Sequence, residues 1–356
     1  MIAGVGSERQ TERMNIAPGE LYFIRETDYL TNKLTNYVKI GLVKDVEGRT
    51  STDRAAEHQT GNPRTLSVYK VVKTPAISEV ENIVHKLYAT HRIEGEWFHF
   101  TDAQLATAIK AASQIADEIK ANAKAITTAQ ELKTRPSTEK VVKPTAKLLG
   151  YFEEYHTANV KFKACKELVE QYKDLVKAAA DDGEDISSVA KVKPVKDQEV
   201  LDIEALSEKY PDLWQQYCVT TSRVSGSFRW ATYSGNELSL QKIDKTLFAL
   251  TEEFAQLLSS KSKSAKAALH EKHLVLLGHQ ARAELDREIA AAKVQIICKD
   301  AKSIDGICTW KREVKESVNF DISTFVSEHP KIAAQLTSTK KKKASVVVKP
   351  KRSQKV

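Results

Sequence analysis

The chain has 356 residues, 41% of them hydrophobic and 29% charged, which is long for one compact core and ordinary for a soluble protein of two or more domains. No stretch approaches the roughly 20 apolar residues of a spanning helix, and residues 1–14, with Glu8 and Glu12, lack the apolar segment of a signal peptide. A membrane is therefore excluded as a partner, and a cytoplasmic location, with nucleoid association compatible, is expected. The net charge of +8 suggests a polyanionic partner, but residues 340–356 hold eight basic side chains and no acid, so the rest of the chain is balanced.

After a polar leader, residues 1–15, the run Leu21, Tyr22, Phe23, Ile24 and the run 37–43 read as two strands of an antiparallel hairpin across the polar turn 31–36. Residues 53–59 read as a short helix closed by Gly61. A third strand follows over 66–72. Residues 78–90 place Val80, Ile83, Val84 and Leu87 at helical period, with Ser78 and Glu81 at capping-box spacing. Gly95, Glu96, Trp97 and Phe98 read as a closing strand whose two aromatics fill the small core rather than stack on bases. The fold class expected is α+β over residues 16–102, a small antiparallel sheet flanked by helices, followed by a mostly helical C-terminal region.

Residues 103–133 form an alanine-rich helical extension, and 134–145, with Pro136 and Pro144, a linker. An accessory domain over 146–338 carries helices at 148–180, 202–221, 243–260 and 265–298, with an exposed loop over 181–198. A disordered basic tail over 339–356 closes the chain, and its Lys340, Lys341, Lys342 and Lys343 attract phosphates or merely solubilise. Ser207 to Pro211 with Gln216 echo Ser327 to Pro330 with Gln335, too faintly for a repeat array. Cys165, Cys218, Cys298 and Cys308 lack metal or redox spacing and read as reduced core thiols. Phe228, Arg229, Trp230 and Tyr233 either stack on bases or, the more frequent outcome, cover neighbouring helices.

Several motifs in order carry a resemblance: Pro18-Gly19-Glu20-Leu21-Tyr22, Lys39-Ile40-Gly41, Arg54 through Pro63, Glu81 with His85, and Arg92 with Glu94 through Phe98. Together they resemble the GIY-YIG nuclease superfamily, in the branch named for a bacteriophage T5 open reading frame and described as DNA-binding. The resemblance covers about a quarter of the chain. It implies phosphodiester hydrolysis with one divalent ion, Mg²⁺ or Mn²⁺, held by Glu81. Tyr22 would orient or activate water, and Arg54 would stabilise charge on the phosphate.

These residue types suit the chemistry independently. A phosphodiester needs an aligned nucleophile, a cation on its non-bridging oxygens and an acidified water, and a guanidinium grips phosphate through two parallel bonds. Each side chain also has a quieter role open to it. Tyr22 is a candidate for strand packing, Arg54 for pairing with Asp53 or Glu57, and Glu79 competes with Glu81 for the metal. His58 either moves a proton or bonds a backbone carbonyl, while His85 reads as structural. Lys39 replaces the superfamily's second tyrosine, so either the lysine contacts phosphate or hydrolysis has weakened to binding. The first domain holds eleven basic and twelve acidic residues, so affinity for DNA has to come from a local site or from the rest of the chain.

Residues 300–311 with Asp321 and Ser327 to Pro330 resemble the accessory helical segment of YqaJ-type phage recombination exonucleases, which implies a phage or prophage setting; a coiled helical hairpin is the alternative. The leading expectation is a metal-dependent DNA endonuclease acting through Tyr22, Lys39, Arg54, His58 and Glu81. The alternatives are a catalytically inactive DNA-binding module, or an assembly protein that self-associates or meets a protein partner through its helical half.

Overall fold

The computed structural model describes residues 14–60, 62–233, 238–260 and 263–352. The first thirteen residues of the expected leader, the Gly61 helix stop and the last four residues of the expected tail lie outside them. The chain opens with β1 (Gly19–Asp28), β2 (Lys33–Lys44), α1 (Ser51–Gln59), β3 (Thr65–Thr74), α2 (Ile77–Leu87), β4 (Arg92–Glu94), β5 (Trp97–His99) and α3 (Asp102–Leu132). The strands form one antiparallel sheet in the order β3-β1-β2-β5-β4, so β1, the most buried of its long strands, lies inside it.

The alternation of β1 splits its side chains between two faces. Leu21 and Phe23 enter a core with Val80 and Ile83 of α2 and Leu105, Ala112 and Ile119 of α3. Tyr22 and Ile24 pack on the opposite face with Ala55 of α1 and Leu66. The capping-box expectation for Ser78 and Glu81 is corrected: the N-cap is Ala76, and no side chain caps the helix. The Ile77 N–H donates instead to Ala17 O at 3.0 Å, which lets the helix start one residue early and leaves Glu81 inside it.

The second part contains β6 (Thr138–Val142), α4 (Ala146–Asp181), β7 (Ala190–Lys193), β8 (Gln198–Leu201), α5 (Ile203–Lys209), α6 (Pro211–Tyr217), β9 (Cys218–Ser225), β10 (Arg229–Trp230), α7 (Leu240–Ile243), α8 (Lys245–Ser259) and α9 (Lys263–Cys298). It ends with β11 (Ala301–Ile304), β12 (Cys308–Thr309), β13 (Glu313–Phe320), α10 (Ile322–Glu328), α11 (Pro330–Leu336), β14 (Thr337–Lys340) and β15 (Ser345–Val348). Helix α9 joins the two halves: its Ala281, Leu285, Ile289 and Ala292 complete the core under α2 and α3. At Gly278 an added Cβ would lie 3.0 Å from Leu87 Cα, so a glycine permits the closest approach of the two helices. Among the described residues no helix is long and apolar enough to cross a membrane.

Four expectations for this half change. The linker holds β6, which pairs in parallel with β11 because Val141 and Val142 supply a β-prone segment between its prolines. The expected helix 202–221 divides at Pro211, and the run of Val and Thr after Cys218 becomes β9. The basic tail is folded through much of its length: β14 pairs with β8 and β15 with β7, because Val346 and Val348 find apolar partners beside α4 and α8. The loop expected over 181–198 thereby contains a strand.

The faint echo corresponds to a duplicated unit. β8-α5-α6-β9 and β13-α10-α11-β14 share an N-capping aspartate, Asp202 or Asp321, and a proline at the start of the second helix, Pro211 or Pro330. The two copies clasp reciprocally. Asp202 N–H donates to Leu336 O at 2.8 Å, and Asp321 N–H donates to Tyr217 O at 2.9 Å. Leu206 and Phe325, both fully buried, occupy matching places in their shared core.

Ribbons β9–β13 and β7–β15 lead from this helical knob to opposite ends of α4. Gly226 abuts Arg312 beside the cluster holding Leu148 and Phe152, whereas Ala190 packs with Tyr172 and Val176. Phe152 and Val176, 24 residues apart along the chain, are separated by about 36 Å of helix. Knob and ribbons form an arch over that distance, and most ribbon residues are exposed on both faces.

Candidate active site

Tyr22 stands at the centre of the α1 face, 1% exposed. Its cross-strand partner in β2 is Gly41, where an added Cβ would lie 2.4 Å from Tyr22 Oη. The glycine thus makes room for the ring. Tyr22 Oη lies 3.3 Å from His58 Nε2 and interacts with the Arg54 guanidinium. Burial pushes the phenol up from its ordinary value despite the neighbouring Arg54, so it stays protonated.

α1 brings Arg54 and His58 to this ring through two anchors. Thr50 and Asp53 form a capping box, with Thr50 N–H donating to Asp53 Oδ2 at 2.8 Å. Ser51 Oγ donates to Glu20 Oε2 at 2.7 Å, fixing the helix start to β1. Arg54 and His58 lie one turn apart on the same side. Burial, with the nearby Lys39 and Arg54 charges, holds His58 below its ordinary pKa and favours the neutral ring. Arg54 is ion-paired with Glu57, which does not draw it away from Tyr22.

Gln59 builds the wall beyond α1. Its Nε2 donates to Asn62 O at 3.0 Å and Arg64 O at 2.9 Å, while its Oε1 accepts from Leu66 N–H at 2.8 Å. Three bonds from one amide hold the turn before β3. The result is an open cleft of about 290 Å³ lined by Lys39, His58, Thr60, Asn62, Pro63 and Trp97. Trp97 is half-buried at this cleft, whereas Phe98 is fully buried and stacks on Phe100.

Lys39 projects from β2 with only 7% exposure and is ion-paired with Glu96. Burial alone would raise the Glu96 carboxyl, but the Lys39 ammonium holds it below the usual range. Glu81 lies close enough to Tyr22, Lys39, Glu96 and Arg92 for their charges to act on one another. Burial and the Glu96 charge push its carboxyl up to about 7, against the pull of Lys39 and Arg92. Glu79, its competitor on α2, turns elsewhere and accepts from Asn15 N–H at 3.4 Å. His85 is structural: burial takes it down to about 4, and its Nε2–H donates to Ile40 O at 3.0 Å.

The five expected residues therefore belong to one electrostatic cluster, which also contains Glu96 and Arg92. Both fell within the motif that carried the resemblance, Glu96 as part of an expected closing strand and Arg92 with no role assigned. The signal that could have found them is the pairing of β5 with β2, which sets Trp97 opposite Lys39 and so brings Glu96 to the lysine. Among the described residues no group of three or more His, Cys, Asp or Glu side chains could hold a metal ion. Glu81 and Glu96 carry hard oxygen donors of the kind a divalent ion takes, but Glu96 is already ion-paired with Lys39.

Elsewhere the expected positions carry other contacts. Trp230 stacks on Tyr155 with ring centroids 3.9 Å apart and packs with Phe228, covering α4. The four cysteines are free, and all but Cys218 are buried. Lys340, Lys341, Lys342 and Lys343 lie on the arch, far along the chain from this cluster, and do not line its cleft.

Residues 19–116 match the family model of the T5orf172 domain, which supports that branch of the GIY-YIG-related nuclease fold for this part of the chain. The match starts at the first residue of β1 and extends beyond Asp102 into α3, where Leu105, Ala108, Ala112 and Ile115 share the sheet's core. No curated protein and no solved structure matches the chain.

Proposed function

We propose that residues 19–116 act on DNA as a metal-dependent endonuclease, with Tyr22, Lys39, Arg54, His58 and Glu81 as its working residues and Glu96 and Arg92 beside them. One observation carries this reading: Tyr22 is held between His58 and Arg54 beneath a cleft that is itself lined by His58 and Lys39, within electrostatic reach of the Glu81 and Glu96 carboxylates. Arg54 would bind a non-bridging phosphate oxygen, exchanging Glu57 for the substrate. The Tyr22 hydroxyl would orient the attacking water, whose proton the neutral His58 ring accepts. Lys39 would offset charge on the phosphate. Glu81 and Glu96 would hold a divalent ion, which would polarise the phosphate and acidify a bound water.

A nicking assay on supercoiled plasmid with Mg²⁺ or Mn²⁺ tests this reading. The wild type is expected to give open circles, Arg54→Ala to slow the reaction on the order of 100-fold, and Glu81→Gln to stop it. No product from the wild type with either ion, or equal product from Glu81→Gln, refutes hydrolysis.

A second reading, a DNA-binding domain without hydrolysis, draws on Lys39, which stands where the superfamily places a tyrosine and has its charge matched by Glu96. On that reading, duplex binding persists in EDTA while no substrate is nicked. A phage or prophage setting for the whole chain is a further part of the proposal, resting on the soft YqaJ-type resemblance of the helical half.

A further inference from the structure

The arch limb farthest along the chain gathers charge that the sequence keeps apart. The pairs Leu201–Thr337 and Ala190–Val348 belong to one unbroken antiparallel register, so residues 190–201 and 337–348 make a single two-stranded ribbon. Ladder bonding lapses at Pro194, which has no N–H to give, yet Lys342 N–H donates to Asp197 Oδ1 at 3.1 Å and keeps the strands together. Lys191, Lys193 and Lys196 from one strand thereby join the four lysines from 340 to 343 on the other. All seven are exposed, and none has an ion-pair partner among the described residues.

Over 190–201 and 337–352 there are ten basic residues and two acidic ones, so this limb accounts for the entire net charge of +8. The register sets Lys196 opposite Lys342, an arrangement of like charges that is unfavourable in an isolated ribbon. The end of the limb reaches the first domain, where Lys351 is ion-paired with Glu94 on the edge strand β4. At about 3.3 Å per residue, twelve positions span about 40 Å, slightly more than one turn of B-form DNA.

We infer that this lysine ribbon is a second nucleic-acid contact that tracks the phosphate backbone of duplex DNA for about one turn, outside the cleft lined by Lys39 and His58 and without reading sequence. Strand pairing holds the ammonium groups at fixed spacing, so binding releases counterions without first ordering a flexible tail. The inference rests on the DNA-acting reading of the first domain only for its choice of polyanion.

The test is fluorescence anisotropy of a labelled 30-base-pair duplex with the full chain in EDTA, titrated across KCl concentrations. Replacing Lys191, Lys193 and Lys196 by serine is expected to weaken binding by at least about tenfold at 150 mM salt and to lower the salt slope by about 2 to 3, at roughly 0.9 per lost phosphate contact. Replacing the four lysines from 340 to 343 is expected to do the same or more. Arginine at the same positions is expected to preserve the slope, which separates charge loss from misfolding. An unchanged slope for the 191, 193 and 196 variant overturns the inference, because a basic tail alone would explain the rest. Losses seen only with vesicles of anionic phospholipid, and not with the duplex, also overturn it. Because EDTA prevents metal-dependent cleavage, failure of the hydrolysis reading appears in the nicking assay and not here.

Discussion

Replacing Gly41 by alanine probes the close contact that seats Tyr22. The new methyl would lie 2.4 Å from Tyr22 Oη, 2.6 Å from Cζ and 2.9 Å from Cε2. Ordinary carbon contacts begin near 3.5 Å, so ring or strand has to move by about 1 Å. The ring is 1% exposed among Ile24, Val43, Ala55 and Leu66, and the strand on the other side of the contact is hydrogen-bonded to β1 and β5. Overpacking of this kind costs about 1–3 kcal/mol. Urea unfolding of Gly41→Ala, Tyr22→Leu and the double variant measures it. Tyr22→Leu removes the clashing atoms, so the double variant is expected to be little less stable than Tyr22→Leu alone, giving a coupling of at least about 1 kcal/mol. Additive effects would show that the methyl is accommodated without touching the ring, and the account of why a glycine faces Tyr22 would fail.

Two further outcomes concern groups outside the cleft. Burial among apolar neighbours takes His273, 1% exposed, down to about 3 from an ordinary value near 6.5. In the unfolded chain the ring gains a proton below about pH 6.5, and in the folded chain it does not until about pH 3, so its contribution is intact above pH 6.5 and is lost as pH falls. At pH 5 the loss is roughly 2 kcal/mol, and His273→Phe should flatten the acid limb of a stability–pH curve; an unaltered limb counts against this. At the knob, Asp321 Oδ1 accepts from Thr324 N–H at 3.0 Å and caps α10, so Asp321→Ala should lower the melting temperature. Circular dichroism melts that leave the transition unmoved would remove the cap from the account.

The sheet and the cleft were readable because their signals are local. β1 and β2 are compact β-prone runs, and the Arg54 to Pro63 segment packs a helix, its turn and a cleft wall into ten residues. Glu96 was harder to read as part of the site, since its role depends on β5 pairing back to β2, a contact that spacing along the chain does not encode. The lysine tail was misread for the same reason. Val346 and Val348 look too few to fold anything until Lys191 and Val192 are set beside them. Pro211 and the β-branched run after Cys218 did signal a break, but the helical period on either side masked it.

The arch also constrains the order in which the molecule is made. Asp197 and Lys342 are 145 residues apart, and every ladder of the arch joins an early segment to a late one. The N-terminal domain can bury most of its sheet as soon as α3 emerges, whereas residues 190–225 have no strand partner until 313–348 have been synthesised. During that interval β7, β8 and β9 present unpaired edges. Their abundance of lysine, threonine and serine, with few large apolar side chains, is the composition that keeps such edges from pairing with those of another nascent chain. The same charge that lies along the finished ribbon thus protects it while it waits for its second strand.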